Sequence, residues 1–190
     1  MRHVPTATSR RFSASASCAF TLMEMAIVLI IISIVAMLVV PMVGNRASLR
    51  LSAAARKVMA DLQYAQSLAI STQQTQYVRF STNQYELLTK SGATFNAVTH
   101  PIDKSNFTVV FNGSSSASAT RDLARVSLDT VSVAGTSILC FDSLGTPQSY
   151  NTTSGVATPT GANVVLTLRY DTSSVTLTVA PYTGEITVSN

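Results

Sequence analysis

The chain has 190 residues, of which 12% are charged, with a formal net charge of +4 and a mean hydropathy of +0.30. This length allows one modest domain plus an anchor. Three of the 13 basic residues and none of the 9 acidic residues precede Phe20. Residues 20–190 therefore carry 10 basic and 9 acidic side chains, a net charge of +1. The basic character therefore belongs to the first segment, and it is weak evidence for nucleic-acid binding.

Residues 1–19 are polar, basic and rich in Ser and Ala, which is typical of a targeting leader rather than of a folded segment. An uncharged run follows from Met25 to Val43, and Ser33 is its only polar side chain. As a helix rising about 1.5 Å per residue, the run spans most of a bilayer core. In lipid only a helix satisfies its own backbone, so the many β-branched residues here do not favour a strand. The basic residues ahead of the run predict a leader on the cytoplasmic side.

Glu24 stands at the edge of this apolar run. A carboxylate there is costly, at roughly 2.5–3.5 kcal/mol near the bilayer centre and less towards the interface, which predicts a functional group that meets a cation. Pro41 and Gly44 interrupt the pattern at the other end. Because Pro41 cannot bond the carbonyl four residues earlier, we predict a helix kink there.

The helical pattern resumes over residues 46–72 in an amphipathic form. Apolar residues at alternating spacings of four and three predict one buried helix face. They are Leu51, Ala55, Val58, Leu62, Ala65 and Ala69. If this segment continues the apolar segment of 20–45, the whole helix is about 80 Å long. Its first half is then lipid-embedded, and its second half carries an apolar face for a soluble domain.

From residue 73 onward Ser, Thr, Asn and Gly increase, and short alternating runs predict an antiparallel β-rich head over 73–190. The predicted strands are 77–80, 85–88, 107–111, 126–133, 138–141, 164–170, 175–179 and 185–188. The last three form a meander that needs an apolar lid on one face, for which the helix is the candidate. Segments 112–120 and 147–161 are predicted to be loops. The predicted fold class is therefore α+β.

The six residues Ala19-Phe20-Thr21-Leu22-Met23-Glu24, with the apolar run behind them, resemble the leader junction of type IV pilins and type II secretion pseudopilins. The family pattern is a small residue, then Phe-Thr-Leu-x-Glu, then an apolar helix. The resemblance implies that prepilin peptidase cuts between Ala19 and Phe20 and that Phe20 is then N-methylated, with Thr21 and Leu22 belonging to the recognition motif. Ala19 departs from the family, which mostly has Gly there, and this bears on the rate of cutting.

The resemblance also gives Glu24 a role. Cleavage would create an α-amine on Phe20 about 6 Å along the helix from Glu24, cationic near neutral pH. In a helical filament the amine of one subunit could meet Glu24 of its neighbour and set the axial register. The expected partners are prepilin peptidase, other pilin-like subunits, the inner-membrane assembly platform and secreted cargo. The expected location is the bacterial inner membrane, crossed once, with the head in the periplasm and then in a pseudopilus.

Within the family, the head is similar to the GspH/FimT group of minor pseudopilins. Three features carry the likeness: the Gln- and Ala-rich helix end 62–69, the Phe-Asp-x-x-Gly turn of 141–145, and a final strand after Gly184. The similarity implies a minor pseudopilin at or near the tip of a type II secretion pseudopilus, helping to initiate assembly and protein export. The alternative is a FimT-like minor type IV pilin for pilus biogenesis or DNA uptake. DNA is not the expected partner, because 184–187 lacks the Gly-Arg-x-Arg pattern of the DNA-binding members.

Catalytic and metal sites are not expected. The chain has no Ser/His/Asp set, no Gly-rich phosphate loop and no paired carboxylates at a workable spacing, so we predict that it is not an enzyme and needs no cofactor. His3 and His100 are too far apart to suggest a metal site. Cleavage would remove Cys18 and leave Cys140 without a disulfide partner, and Cys140 is predicted to be a buried small hydrophobe. Asp142 and Asp171 give thin support for calcium.

Overall fold

A computed structural model describes residues 21–43, 46–102, 104–111, 123 and 125–189. The chain divides into two compact units at residue 44. The first holds helix α1 (Leu22–Val43), and the second holds helix α2 (Arg46–Thr72) and every described strand. The strands are β1 (Gln76–Ser81), β2 (Gln84–Ser91), β3 (Thr94–Ala97), β4 (Thr108–Val110), β5 (Ser127–Ser132), β6 (Ile138–Phe141), β7 (Pro147–Asn151), β8 (Val156–Pro159), β9 (Val164–Tyr170), β10 (Ser173–Val179) and β11 (Ile186–Ser189).

Helix α1 is apolar on all sides. Its large apolar side chains from Leu22 to Met37 are exposed, and its one hydroxyl, on Ser33, donates to the Ile30 carbonyl oxygen at 2.7 Å, which keeps that polar group satisfied within the helix. Within the described part of the chain, no helix combines the length and the apolarity of a membrane-crossing segment.

The strands form two antiparallel sheets, and this confirms the predicted α+β class. The larger sheet has the order β3-β2-β1-β6-β7-β8, with β4 also paired to β2, and the smaller has the order β11-β10-β9-β5. Two-residue turns close the β1–β2 and β9–β10 hairpins, since Ser81 pairs with Gln84 and Tyr170 with Ser173. The sequence predicted both pairs of strands, but it placed four residues in each connection (81–84 and 171–174), and the structure has two-residue turns.

Helix α2 packs on both sheets, against β1 and β6 of the larger one and against β9, β10 and β11 of the smaller one. The predicted stripe is confirmed, because all six of its residues are at most 1% exposed. They join one core with inward side chains of both sheets, such as Val78, Leu166 and Leu177. The helix thus covers the apolar face of the predicted meander, which is in the smaller sheet, and it also packs on the larger sheet.

The segment 147–161 is a hairpin rather than the loop that its polar composition predicted. Strand β7 pairs with β6 on one side and with β8 on the other. The turn between β7 and β8 is held by Asn151, whose side-chain oxygen accepts the backbone N–H groups of Thr153 and Ser154 at 2.8 and 3.2 Å. Pairing with β6 and this Asx turn outweigh the weak apolar pattern of the segment. Strand β3 was also not predicted, and the other predicted loop, 112–120, lies outside the described residues.

The outward face of the larger sheet carries a second, smaller cluster. Buried Tyr77, Leu88, Ile138, Cys140 and Tyr150 form it, with Phe95, Ala97 and Ala157 packed against them. The three aromatic rings meet edge to face at centroid distances of 5.1–5.6 Å, a favourable geometry for such rings. This cluster accounts for the burial of both faces of β6.

Candidate functional site

The first helix begins with a backbone cap made by Thr21. The backbone N–H of Glu24 donates to Thr21 Oγ1 at 3.2 Å and to the Thr21 carbonyl oxygen at 3.1 Å, and the N–H of Met25 donates to that carbonyl at 3.2 Å. Thr21-Leu22-Met23-Glu24 thus has the Thr-x-x-Glu pattern of a capping box, in which the hydroxyl satisfies a free N–H of the first turn. The same residues that resemble a peptidase recognition sequence therefore also cap the helix.

Glu24 lies in the first turn of α1, and its side chain is exposed. A carboxylate is favourable at this end of a helix, because the free N–H groups give it a partial positive charge. The geometry therefore holds an accessible carboxylate in a fixed turn at the start of an apolar helix. Leu22, beside it, is 89% exposed, so this end of the helix offers both a charge and an apolar surface to another molecule.

The remaining predicted positions of the N-terminal segment are only partly described. Ala19, Phe20 and Gly44 lie outside the described residues. Pro41 falls in the last turn of α1, which ends at Val43. The kink at Pro41 and Gly44 and the cleavage between Ala19 and Phe20 stay predictions.

Within the head, three separate pieces of sequence meet at Gln66 of α2. Its side-chain Nε2 donates to the Gly145 carbonyl oxygen at 2.9 Å and to the Thr183 carbonyl oxygen at 3.3 Å. Gly145 ends the turn after β6, and Thr183 lies in the turn between β10 and β11. We call Gln66, Gly145, Thr183 and Gly184 the turn junction. One amide thereby ties together a turn from each sheet, a contact that no periodicity in the sequence could predict.

The turn junction leaves no space for a side chain at Gly184. This residue has a φ of +69°, and a Cβ atom there would lie 2.4 Å from Gln66 Nε2 and 3.1 Å from the Gly145 carbonyl oxygen. Glycine is therefore required both by the left-handed backbone and by the close approach of the two turns. The sequence marked Gly184 as a turn residue but did not show what it approaches.

Asp142 organises the first of these turns. Its Oδ1 accepts the backbone N–H groups of Leu144 and Thr146 at 2.9 and 2.8 Å, and its Oδ2 accepts Gln148 Nε2 at 3.1 Å. This carboxylate is engaged in shaping the turn rather than presented to a cation. Among the described residues, no group of three or more His, Cys, Asp or Glu side chains could hold a metal ion.

Cys140 is a fully buried free thiol, as predicted. Burial, with a smaller contribution from the charge of Asp142, raises the pKa of Cys140 to about 12. Because the thiolate is the reactive form, this cysteine is chemically inert and acts as a small apolar side chain.

Two arginines near the smaller sheet, Arg125 and Arg169, have local partners. Arg169 lies 3.7 Å from Asp129 on the neighbouring strand, measured from Nη1 to Oδ1. The Arg125 guanidinium lies 5.3 Å above the ring of Tyr170. These contacts give two of the arginines structural roles within the smaller sheet.

Comparison with known proteins gives one family and two related structures. The model of the family "Type II transport protein GspH" matches residues 54–184. The minor pseudopilin EpsH from the type 2 secretion system of Vibrio cholerae is 13% identical over 74% of this chain and 96% of EpsH, with a TM-score of 0.49. The type IV minor pilin FimU of Pseudomonas aeruginosa is 15% identical over 74% of this chain and 88% of FimU, with a TM-score of 0.46. No curated protein matches the chain significantly.

Proposed function

This chain belongs to the GspH family of type II transport proteins, and we propose that it is a minor pseudopilin, a structural subunit of a type II secretion pseudopilus that acts at or near the tip. The observation that carries the proposal is the capped start of α1, where Thr21 fixes the first turn and Glu24 presents a carboxylate ahead of an uncharged apolar helix. The family match over the head adds to it. A structural subunit of this kind needs neither a catalytic group nor a cofactor.

In the proposed pathway the newly made chain is inserted in the inner membrane. The leader of residues 1–19 lies in the cytoplasm, the segment 20–45 lies in the bilayer and the head lies in the periplasm. Prepilin peptidase cuts between Ala19 and Phe20, and Phe20 is N-methylated. The α-amine of Phe20 then pairs with Glu24 of a neighbouring subunit. The exposed apolar side chains of α1 between Leu22 and Met37 support this, since they would be stable in lipid and, after extraction, against the helices of other subunits.

The pairing of Glu24 with an amine is the physical core of the proposal. A carboxylate packed among apolar helices has a large desolvation penalty unless a cation neutralises it. An arrangement in which each Glu24 meets a neighbour's amine satisfies that requirement for all subunits at once. Pairing would therefore select a single axial register among many apolar packings of similar energy.

Replacement of Glu24 tests this role. We expect Glu24→Ala to be cleaved and methylated like the unchanged chain but to be lost from the sheared filament fraction, in cells that lack the unaltered protein. Ser33→Ala is the matched control within the same helix, because the Ser33 hydroxyl donates to the Ile30 carbonyl oxygen of its own turn. Normal incorporation of Glu24→Ala would contradict the proposal, as would an N-terminus other than methylated Phe20 in mass spectrometry.

The alternative, a minor type IV pilin, shares the same anchor chemistry and differs in the machine that it serves. Deleting the gene distinguishes the two. Loss of exported proteins from the culture medium with pili intact supports the secretion pseudopilus. Loss of surface pili or of DNA uptake with secretion intact supports the alternative.

A further inference from the structure

Three large apolar side chains stand in solvent around the turn junction. Leu144 is 81% exposed, Tyr182 is 66% exposed and Ile70 is 45% exposed. Each belongs to a different piece of the junction: Leu144 precedes Gly145, Tyr182 precedes Thr183, and Ile70 lies one helical turn after Gln66. The side chain of Ile70 also lies close to Gly145, since a Cβ atom at Gly145 would be 2.8 Å from Ile70 Cδ1. We call Ile70, Leu144 and Tyr182 the junction patch.

The surroundings of the junction patch are polar but mostly uncharged. Hydroxyl and amide side chains flank it in the described structure: Ser71, Thr72, Gln73, Ser143 and Thr183. Of the two acids nearest in sequence, Asp142 bonds to the backbone of its own turn, and Glu185 lies between Gly184 and the first residue of the last strand, Ile186. An apolar centre with a hydroxyl and amide rim is the composition of a protein contact surface rather than of a phosphate or membrane-surface site.

The junction patch is held in place although it lies on turns. Gln66 bonds both turns to α2, Asp142 accepts two backbone N–H groups of the first turn, and Gln73 Nε2 donates to the Ser143 carbonyl oxygen at 3.4 Å. Fixing Leu144 and Tyr182 in advance lowers the conformational entropy that a partner would otherwise have to remove on binding. Exposed apolar side chains on rigid backbone are the usual anchors of interfaces.

The size of the junction patch indicates the kind of partner. Its three side chains expose roughly 400 Å² together, against about 800 Å² for each partner of a stable interface between freely diffusing proteins. A contact this small is effective only when the two partners are already held together elsewhere. Subunits of one filament meet this condition, because their first helices are packed together. Ile70 lies near the C-terminal end of α2, about 36 Å along the helix from Arg46.

We propose that the junction patch docks on the head of another pilin-like subunit in the same filament. This inference rests on the proposed function, since co-assembly through α1 supplies the proximity that the contact needs. The partner surface is uncharged and apolar, matching the patch. The contact would add specificity to a subunit whose α1 packing alone would fit many neighbours.

Site-specific cross-linking tests the contact in cells that assemble the filament. The photoreactive residue p-benzoylphenylalanine replaces Leu144 in the full-length chain, and Ile102, which is 86% exposed and lies outside the patch, carries it in the matched control. Mass spectrometry then identifies the cross-linked chain. We expect a pilin-like subunit, recognised by its own Phe-Thr-Leu-x-Glu segment, at a yield about tenfold above the control. Cross-linking to a second copy of this chain or to a secreted protein overturns the proposal, as does a yield no higher than the control.

A paired substitution gives an independent measurement. Leu144→Ser with Tyr182→Ser should leave the melting temperature unchanged, because both side chains are exposed, yet lower the amount in the filament fraction about tenfold or more. Ile102→Ser with Val156→Ser is the matched control, since both residues are exposed elsewhere on the head. If the patch variant enters the filament fraction normally while Glu24→Ala is lost from it, the proposed role of the junction patch is wrong and the proposed function is supported. Normal incorporation of Glu24→Ala instead overturns the proposed function itself.

Discussion

Replacing Gly184 by Ala tests whether the turn junction stabilises the head. The backbone there has a φ of +69°, and Ala in this left-handed region costs about 1–2 kcal/mol. The new methyl group would lie 2.4 Å from Gln66 Nε2, so the Gln66 side chain must move and lose its bonds to Gly145 and Thr183. At about 0.5–1.5 kcal/mol for each net hydrogen bond, the total loss is about 3 kcal/mol.

Gly92→Ala is the matched control for the cost of placing Ala in left-handed backbone. Gly92 has a similar φ of +61°, but no atom lies within 4 Å of the position where a Cβ would stand. Its substitution should therefore cost only the left-handed term, about 1–2 kcal/mol. The free energy of unfolding is measured by urea titration of the full chain in detergent. Tyrosine fluorescence is the signal, because the chain contains six Tyr and no Trp.

A double-mutant cycle with Gln66→Ala isolates the interaction between residue 184 and the Gln66 side chain. Gln66→Ala alone removes the two hydrogen bonds and should cost about 1–2 kcal/mol. In that background Gly184→Ala no longer meets the amide, so the double variant should be no less stable than Gly184→Ala alone, giving a coupling of about 1.5 kcal/mol. Equal losses for Gly184→Ala and Gly92→Ala, or simple additivity in the cycle, would refute the reasoning.

Two further predictions concern buried groups of the head. Because burial raises the pKa of Cys140 from 9.0 to about 12, the native state keeps a proton that the unfolded chain loses, so stability is intact below pH 9 and falls between pH 9 and 12. Urea titrations at pH 8 and pH 10 should show an extra loss of about 1 kcal/mol in the unchanged chain relative to Cys140→Ala, and equal losses would contradict the assignment. Tyr85, fully buried, donates its hydroxyl to Asp61, which also pairs with Lys57 at 3.1 Å. Tyr85→Phe should cost about 1–2 kcal/mol in urea unfolding, and an unchanged stability would show that the bond contributes nothing.

Local pattern was enough to predict the elements whose burial follows a regular period. The stripe from Leu51 to Ala69 has helical spacing and is buried throughout, and the Val164–Val179 hairpin alternates strictly enough to be predicted. Such segments meet the core with one face only, so the sequence itself records which side chains point inward.

The segment 147–161 is one that local sequence pattern did not predict correctly. Its side chains are mainly Thr, Ser and Gly, and its strand character comes from pairing with β6, whose position is set by distant parts of the chain. Buried Tyr150 packs on Tyr77 and Phe95, contacts that span more than fifty residues of sequence. Alternation alone could not predict this hairpin, although the Asn151-to-Gly155 turn signal was present.

For the candidate sites, too, some features are visible in the sequence and others appear only in the folded structure. The sequence was enough to single out Glu24, because a lone carboxylate ahead of an uncharged run departs from what a membrane segment requires, and its role stays a prediction. The cap made by Thr21 was also present in the sequence as Thr-x-x-Glu. The junction patch was not predictable, since Ile70, Leu144 and Tyr182 come together only when both sheets have packed on α2.

The three features that gave the head its likeness to the GspH/FimT group prove to be one structural unit. The helix end supplies Gln66, the Phe-Asp-x-x-Gly turn supplies the Gly145 carbonyl, and the turn before the final strand supplies Thr183 and Gly184. A change in any one of them alters the fit of the other two, since a single amide bonds both carbonyls and the glycine leaves it room. Three segments far apart in the chain therefore depend on one another for their packing in the folded head. The junction patch lies on these same three segments, so the contacts of Gln66 also fix the positions of its side chains relative to one another.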